Sequence, residues 1–324
     1  MGSIEQEIGE LRRKCIGCGR CSRACPALEI SDLLDPKELM INGEGDLSVC
    51  VMCGKCTLAC NRTDPFSVIR DMIALEKGLH VSETFKTTGY PIPMVDHPSR
   101  EELPPAWTGD DVSVMPGCVA KCKVPFLEYA CSVAINTVGS TCKELKDAGC
   151  CIHQPQFREI SDFERKSMKR EMGAKAGDSR IVTMCGGCTI ELDEAGVKAD
   201  HISMFLHDNI DKLPKTDKPL KVALQPGCAG QLWLRETKMV VTAMGHDLML
   251  NEFGCCGKNT PLAEEMMAQR EEECEGCDVI VVSCPMCWTK YDAQPGGKPV
   301  LHLAELVALT AGDDRTLKYH RIPM

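Results

Sequence analysis

The chain has few aromatic residues: Phe, Trp and Tyr together make up only 4% of its 324 positions. Apolar residues still reach 44%, enough for real cores built with little help from rings. No apolar run approaches the roughly 20 residues that a spanning helix needs, so none is expected. No Gly-x-Gly-x-x-Gly fingerprint and no P-loop is present, so no flavin, nicotinamide or nucleotide site is inferred. Positive charge is in deficit, with 47 acidic against 37 basic residues and a formal net charge of −10. That balance argues against nucleic acid as a partner. The opening Met1-Gly2-Ser3-Ile4-Glu5-Gln6-Glu7 has neither the basic nor the apolar segment of a secretory leader. The 23 cysteines therefore do not read as a secreted disulfide framework. They read as reduced, metal-binding thiols of a cytoplasmic protein, with any membrane association supplied by a partner.

What the chain has in abundance is cysteine in ordered groups. Val279-Ile280-Val281-Val282-Ser283 is apolar on both faces, as a buried parallel strand is, and it runs straight into Cys284-Pro285-Met286-Cys287. Arg180-Ile181-Val182-Thr183-Met184 does the same before Cys185-Gly186-Gly187-Cys188. Ligands in open α/β sheets collect at the carboxyl ends of such strands. Each pair closes a longer pattern that occurs twice. The first copy is Cys118, Cys150, Cys151, Cys185 and Cys188; the second is Cys228, Cys255, Cys256, Cys284 and Cys287. The second trails the first by 99 to 110 positions, an internal repeat that dominates the fold assignment. Five thiolates per copy are crowded for one four-ligand zinc ion and suit an iron–sulfur cluster better. Two zinc sites, or reduced core thiols, are the competing readings.

Two further runs stand near the N-terminus, Cys15-x2-Cys18-x2-Cys21-x3-Cys25 and Cys50-x2-Cys53-x2-Cys56-x3-Cys60. This spacing wraps three thiolates round one cubane and sends the fourth to the other. One [4Fe–4S] cluster is thus expected on Cys15, Cys18, Cys21 and Cys60, the other on Cys50, Cys53, Cys56 and Cys25. Pro26 follows the first run but Asn61 the second. The flanks predict helices over 4–14 and 65–77, the latter with Pro65 in its first turn after a Thr63 or Asp64 cap.

The expected organisation is an α+β multidomain chain. A helical ferredoxin-like module occupies 1–88 and a Pro-rich linker 89–110. Two tandem α/β domains with parallel sheets follow, over 111–218 and 219–324. The linker holds Pro91, Pro93, Pro98, Pro104 and Pro105, so it is extended and semi-rigid. Helices are expected over 126–138, 157–175, 232–244, 261–273 and 301–309, and a strand over 246–250.

The two five-cysteine repeats resemble the cysteine-rich CCG domains of heterodisulfide reductase, which that enzyme carries on its B subunit. The tail Cys284-Pro285-Met286-Cys287-Trp288-Thr289-Lys290-Tyr291-Asp292 is especially similar to the final motif of those domains. The N-terminal module resembles the C subunit of the same enzyme, and a chain carrying both is similar to the fused D subunit of methanogenic archaea. The resemblance implies two cubanes and two non-cubane [4Fe–4S] clusters. The non-cubane clusters would face one another on the two five-cysteine sets and cleave a disulfide of the coenzyme M–coenzyme B kind, as in methanogenesis. Electrons would come from a partner protein: a flavoprotein, hydrogenase, ferredoxin or membrane cytochrome. The same layout also resembles electron-transfer iron–sulfur subunits of glycolate, lactate, glycerol-3-phosphate, succinate and fumarate enzymes, and a relative acting on another thiol or disulfide is a third reading. In many of these relatives one repeat lacks ligands, whereas here all ten cysteines are present. One departure stands out: Cys151 is followed by Ile152-His153, whereas Cys256 is followed by Gly257.

Two residues are candidates for catalysis. His153 is placed to give a proton to a leaving thiolate, against the plainer reading of an ordinary histidine. Lys258 is placed to neutralise cluster or substrate charge, against that of a solvated lysine. Cys122, Cys131, Cys142, Cys274 and Cys277 fall outside the pattern and read as structural thiols, although Cys274-x-x-Cys277 has the spacing of a redox pair or a further metal site.

Overall fold

In the computed structural model, residues 4–249, 254–257 and 260–324 are described. The chain is α+β and forms two compact units. The first comprises Met1–Val81, Gln154–Asp162 and Gly254–Arg270; the second comprises Ser82–His153, Phe163–Phe253 and Glu271–Met324.

The first unit is built on helices. They are α1 (Ile4–Arg13), α2 (Arg20–Arg23), α3 (Pro36–Asn42), α4 (Lys55–Leu58) and α5 (Pro65–Lys77). The start of α5 follows from its sequence. Asp64 accepts the backbone N–H of Ser67, Pro65 fills the first turn where no donor is needed, and Gly78 closes the helix in a left-handed conformation. Its apolar face, with Val68, Ile69 and Ile73 buried, packs on α1. Thr63 adds a hydrogen bond to the Leu11 carbonyl (2.6 Å). Gln154–Asp162 joins this unit through Arg158, which is buried against Asp71 (Nη2–Oδ2 2.9 Å) and reaches Glu7 (3.1 Å). The helix expected over 157–175 is accordingly broken. A 3-10 turn over Pro155–Glu159, with Arg158 held by two carboxylates, is separated by extended Ile160 from the helix Asp162–Ala174.

The second unit begins with α6 (Glu83–Thr88) and α7 (Ser99–Glu102). The proline-rich stretch between and beyond them is tied down. The Gly89 carbonyl accepts the Cys150 N–H, and the Val95 N–H donates to the Cys122 carbonyl, both at 2.9 Å. Each repeat then forms its own four-stranded parallel sheet. The first contains β1 (Val112–Met115), β2 (Cys142–Glu144), β3 (Arg180–Thr183) and β4 (Ala199–His201) in the order β2-β1-β3-β4. The helices along this repeat are α8 (Gly117–Lys123), α9 (Phe126–Thr137), α10 (Asp162–Ala174), α11 (Gly186–Glu194) and α12 (Ile202–Asp208). The second sheet contains β5 (Lys221–Gln225), β6 (Asp247–Leu248), β7 (Val279–Val282) and β8 (Val300–His302) in the equivalent order β6-β5-β7-β8. The helices along this repeat within the unit are α13 (Gly227–Gly230), α14 (Leu234–Ala243), α16 (Pro285–Tyr291) and α17 (Leu303–Thr310), whereas α15 (Ala263–Glu273) falls mostly in the first unit. Both central strands read as buried runs because both faces are covered: Val279, Ile280, Val281 and Val282 are all buried.

Two edge strands differ from expectation. Val300–His302 is β8, ahead of the expected helix, and Ala199–His201 forms β4 in a stretch with no strand pattern. Three residues carry too little periodicity to be read alone; pairing with the neighbouring strand decides. Of the strand expected over 246–250, Asp247 and Leu248 are in β6 and Leu250 lies outside the described residues.

The repeats pack reciprocally within this unit. α9 packs on α17 while α14 packs on α12, and α11 meets α13 while α16 meets α8. Equivalent surfaces exchanged in this way amount to an internal two-fold relation. The strand order reverses direction between β1 and β3, and likewise between β5 and β7, so the switch point of each sheet opens beside its Cys-x-x-Cys.

Candidate iron–sulfur centres

In the N-terminal unit the eight cysteines line two cavities. One is bounded by Cys15, Cys18, Cys21 and Cys60, together with Gly19, Arg20, Lys37, Met40 and Arg62. The other is bounded by Cys25, Cys50, Cys53 and Cys56, together with Ala27, Leu34, Val51, Phe66 and Ile69. Each quartet takes three thiols from one run and the fourth from the other. The two loops share a backbone path: Gly17 and Met52 take left-handed conformations (φ 69° and 57°), as do Gly19 and Gly54 (both 71°). In the first loop this aims the Gly17 N–H at the Cys15 sulfur (3.5 Å). Met52 holds without glycine a conformation that costs an ordinary residue about 1 kcal/mol. Burial pushes the Cys21, Cys25 and Cys56 thiols up, so thiolate ligation there releases protons. Four thiols round an enclosed space fit a cubane in chemistry and number. Among the described residues, no three His, Cys, Asp or Glu side chains converge as they would on a single metal ion.

In the second unit the first five-cysteine set comes together at the carboxyl end of its sheet. Cys188 donates to Cys151 across 3.2 Å, and Cys118, Cys150 and Cys185 lie close enough to these thiols to shift one another's titration. The thiol donors around Cys151 and Cys185 hold these two well below the usual thiol range. Cys185 is also the N-cap of α11, where the backbone N–H groups of the first turn help to lower its thiol. Gly117, at φ 80°, brings α8 so close that a Cβ would lie 3.1 Å from the Cys188 sulfur. Ile152 takes the left-handed conformation (φ 55°) that Gly257 takes at the equivalent place in the second repeat (φ 68°), and its N–H points at the Cys150 sulfur (3.3 Å). The sequence departure after Cys151 thus leaves the backbone path unchanged.

The second set is described in two parts. Cys284 and Cys287 stand at the N-terminus of α16, with Gly227 (φ 77°) so close that a Cβ would lie 2.9 Å from the Cys287 sulfur. Cys228 lies in α13 beside that glycine. Cys255 and Cys256, both buried, belong to the other compact unit.

The two Cys-x-x-Cys motifs meet. The Cys185 and Cys284 thiols lie close enough to shift each other's titration, and Gly186 is packed so tightly on the second repeat that a Cβ would come 2.7 Å from that of Ala229. Two fully buried histidines hold this junction crosswise. His201, closing β4, accepts the Ser203 N–H at Nδ1 (3.2 Å) and therefore carries its proton on Nε2, which donates to the Ser283 carbonyl (3.0 Å), the residue before Cys284. His302, closing β8, accepts the Ala304 N–H (3.3 Å) and donates from Nε2 to the Met184 carbonyl (3.3 Å), the residue before Cys185. Burial lowers both, His201 to about 4, so both stay neutral. Trp233 stacks on His201 at 4.7 Å. No motif or cysteine spacing marks either histidine. Extending the repeat beyond the cysteines finds them, as each stands just before an apolar helix.

His153 lies against the first site, where its ring borders Gly187. Its Nδ1 is 2.9 Å from Glu191, whose other oxygen is paired with Lys169. Glu191 and Lys169 are both buried, a pair that spacing alone does not reveal. Lys258 lies outside the described residues. Cys122, Cys131, Cys142, Cys274 and Cys277 are all buried. Burial pushes Cys122 up to about 11 and also raises Cys131, Cys142 and Cys277. Cys274 and Cys277 precede β7, whereas Cys284 follows it, which puts the strand's length between them and the site.

Comparison with known proteins adds that residues 14–64 match the 4Fe-4S dicluster domain family. The matched stretch contains both N-terminal cysteine runs and both quartets, and the chain is an iron–sulfur protein.

Proposed function

We propose that this chain is the disulfide-cleaving iron–sulfur component of a heterodisulfide-reductase-like complex. The observation that carries the reading is the packing of the two Cys-x-x-Cys loops on one another at the carboxyl ends of their sheets, each held by the other repeat's histidine. A disulfide placed across that junction presents one sulfur to each repeat. Cleaving RS–SR′ consumes two electrons and two protons and yields two thiols, so single-electron carriers must deliver twice. Non-cubane [4Fe–4S] clusters, when bound, supply iron that takes a sulfur and store one electron each. Cys118, Cys150, Cys151, Cys185 and Cys188 would hold one; Cys228, Cys255, Cys256, Cys284 and Cys287 would hold the other. The two N-terminal quartets would hold cubanes that connect the site to a partner protein.

The chain's own polar groups fit the proton requirement. Glu191, paired with Lys169, fixes the His153 ring beside the first site, so that His153 holds one of the two protons next to Cys151. Lys258 follows Cys256 by two positions, as His153 follows Cys151, and is its counterpart in the second repeat. His201 and His302, neutral and buried, orient the cysteine loops and do not exchange protons with substrate.

The test is an anaerobic iron and sulfide count with EPR, before and after adding coenzyme M thiol under oxidising conditions. About sixteen irons per chain, four for each of four clusters, with a new thiol-dependent signal, is the expected result. Sixteen irons with no thiol response would overturn a coenzyme M-type substrate and point to another substrate or a pure relay. About eight irons would reject clusters in the repeats altogether.

A further inference from the structure

The two N-terminal cavities differ in their walls. Apart from its thiols, the Cys25/Cys50/Cys53/Cys56 cavity is lined by apolar side chains and Gly54. The Cys15/Cys18/Cys21/Cys60 cavity adds Arg20, Lys37 and Arg62 to a lining that also holds Ile16, Met40, Thr63 and Pro65. Cys18 is solvent-exposed, Ile16 beside it is 65% exposed, and Ile41, packed over Gly17, is 46% exposed. Arg23 reaches to within 3.5 Å of where a Gly19 Cβ would stand, with Lys37 at 3.8 Å. Leu11–Arg23 carries five basic residues and no acidic one, in a chain whose net charge is −10. Lys37 is paired with Glu38 (2.8 Å), but among the described residues Arg20, Arg23 and Arg62 have no acidic partner. Cations without an acidic partner thus surround an exposed apolar spot beside the thiol-lined cavity.

We infer that this rim is the docking surface for a small acidic one-electron carrier protein, seated on Ile16 and Ile41 and held by Arg20, Arg23 and Arg62. The inference rests on the proposed relay and adds to it the port and the charge of the partner. The carrier, oxidised by one electron per encounter, passes that electron to the Cys15/Cys18/Cys21/Cys60 site, and two encounters supply one disulfide. Charge complementarity steers the encounter and the apolar centre fixes it. The acidic remainder of the chain repels the same carrier elsewhere.

The test uses the full chain with its iron and sulfide restored anaerobically. Binding of a small acidic [2Fe–2S] ferredoxin is measured by calorimetry at increasing salt, with a basic c-type cytochrome as the opposite-charge control. The ferredoxin should bind, binding should weaken steeply with salt, and the cytochrome should bind less well. The triple variant R20E/R23E/R62E should weaken ferredoxin binding at least about tenfold, with iron content and the cubane EPR signals unchanged. R20K/R23K/R62K should restore it. K212E/K215E/K218E makes the same charge change in an exposed stretch of the other unit and should leave binding nearly unaltered. No binding of the ferredoxin at low salt, equal loss in both glutamate variants, or preference for the cytochrome would each overturn the docking surface. None of these results depends on thiol-dependent EPR changes, so the docking surface and disulfide cleavage stand or fall separately.

Discussion

The two repeats of the second unit follow one backbone plan and surround it with opposite chemistry. Strand order, the left-handed glycine after β1 and β5, the Cys-x-x-Cys at a helix N-terminus and the crosswise histidine all recur. What lies behind the Cys-x-x-Cys does not. In the first repeat, the residue six places after Cys185 is Glu191, buried between His153 and Lys169. In the second, the residue six places after Cys284 is Lys290, and the buried carboxylate is Glu305 on α17 instead. Glu305 accepts the Trp288 indole N–H (2.9 Å) and pairs with His320 (2.9 Å). Phe126 meets Trp288 edge to face at 5.1 Å. The first site is thus backed by a His–Glu–Lys triad next to its cysteines, the second by an aromatic wall with a His–Glu pair behind it. The backbone sets where thiols go; the second layer of side chains sets where charge and protons go.

The largest expected effect is at Glu191. Glu191→Ala strands the buried Lys169 charge and should cost about 3–5 kcal/mol, read as a shift of the denaturant midpoint. The double variant E191L/K169M should recover most of that loss. Full stability in the single variant would show that the triad is not ionic.

The histidines come next. His201→Phe leaves the Ser283 carbonyl buried without its donor, at a cost of about 1–3 kcal/mol. The effect should be crossed: His201→Phe lowers iron retention by the second repeat and His302→Phe by the first, each seen in EPR, with the glutamine variants milder. Loss confined to the repeat that carries the substitution would break the reciprocity.

Gly117→Ala and Gly227→Ala should each cost about 1–2 kcal/mol from the left-handed backbone alone. Each also presses on the Cys188 or Cys287 sulfur, so iron loss should follow in the same repeat, the reverse of the histidine result.

The smallest effect separates the repeats by pH. Burial opposes the charge on His320, but the hydrogen bond and charge of Glu305 outweigh it and raise its pKa above the ordinary 6.5. Its stabilisation is therefore complete below about 6.5 and fades as pH rises through the raised folded value. His320→Gln should lose about 1 kcal/mol at pH 6 and progressively less at higher pH, as followed by thermal unfolding. A difference independent of pH would show that the pair is not charged.

Much of this was legible beforehand because cysteine is rarely placed by chance. The spacing of the two N-terminal runs named the same interleaved quartets that line the two cavities, and α5 occupies the expected 65–77, with the structure choosing Asp64 over Thr63 as its cap. The repeat gave the positions of β1, β3, β5 and β7, whose buried runs end at candidate ligands. Less was readable where few residues decide. β4 and β8 are three residues each and exist by pairing with β3 and β7. The break at Ile160 comes from Arg158 meeting Asp71, a carboxylate 87 positions away. His201 and His302 look like ordinary helix caps until both are seen to reach across the repeat boundary.

The sequence by itself determined the thiol count, the quartets, the internal repeat and the parallel-strand runs that feed it, because those rest on local spacing and hydrophobic pattern. Only the tertiary structure decided that the two Cys-x-x-Cys loops meet, that neutral histidines lock the junction from opposite sides, and that basic side chains line one N-terminal cavity and not the other. Such facts depend on which distant surfaces exclude water from each other, and no local pattern encodes that.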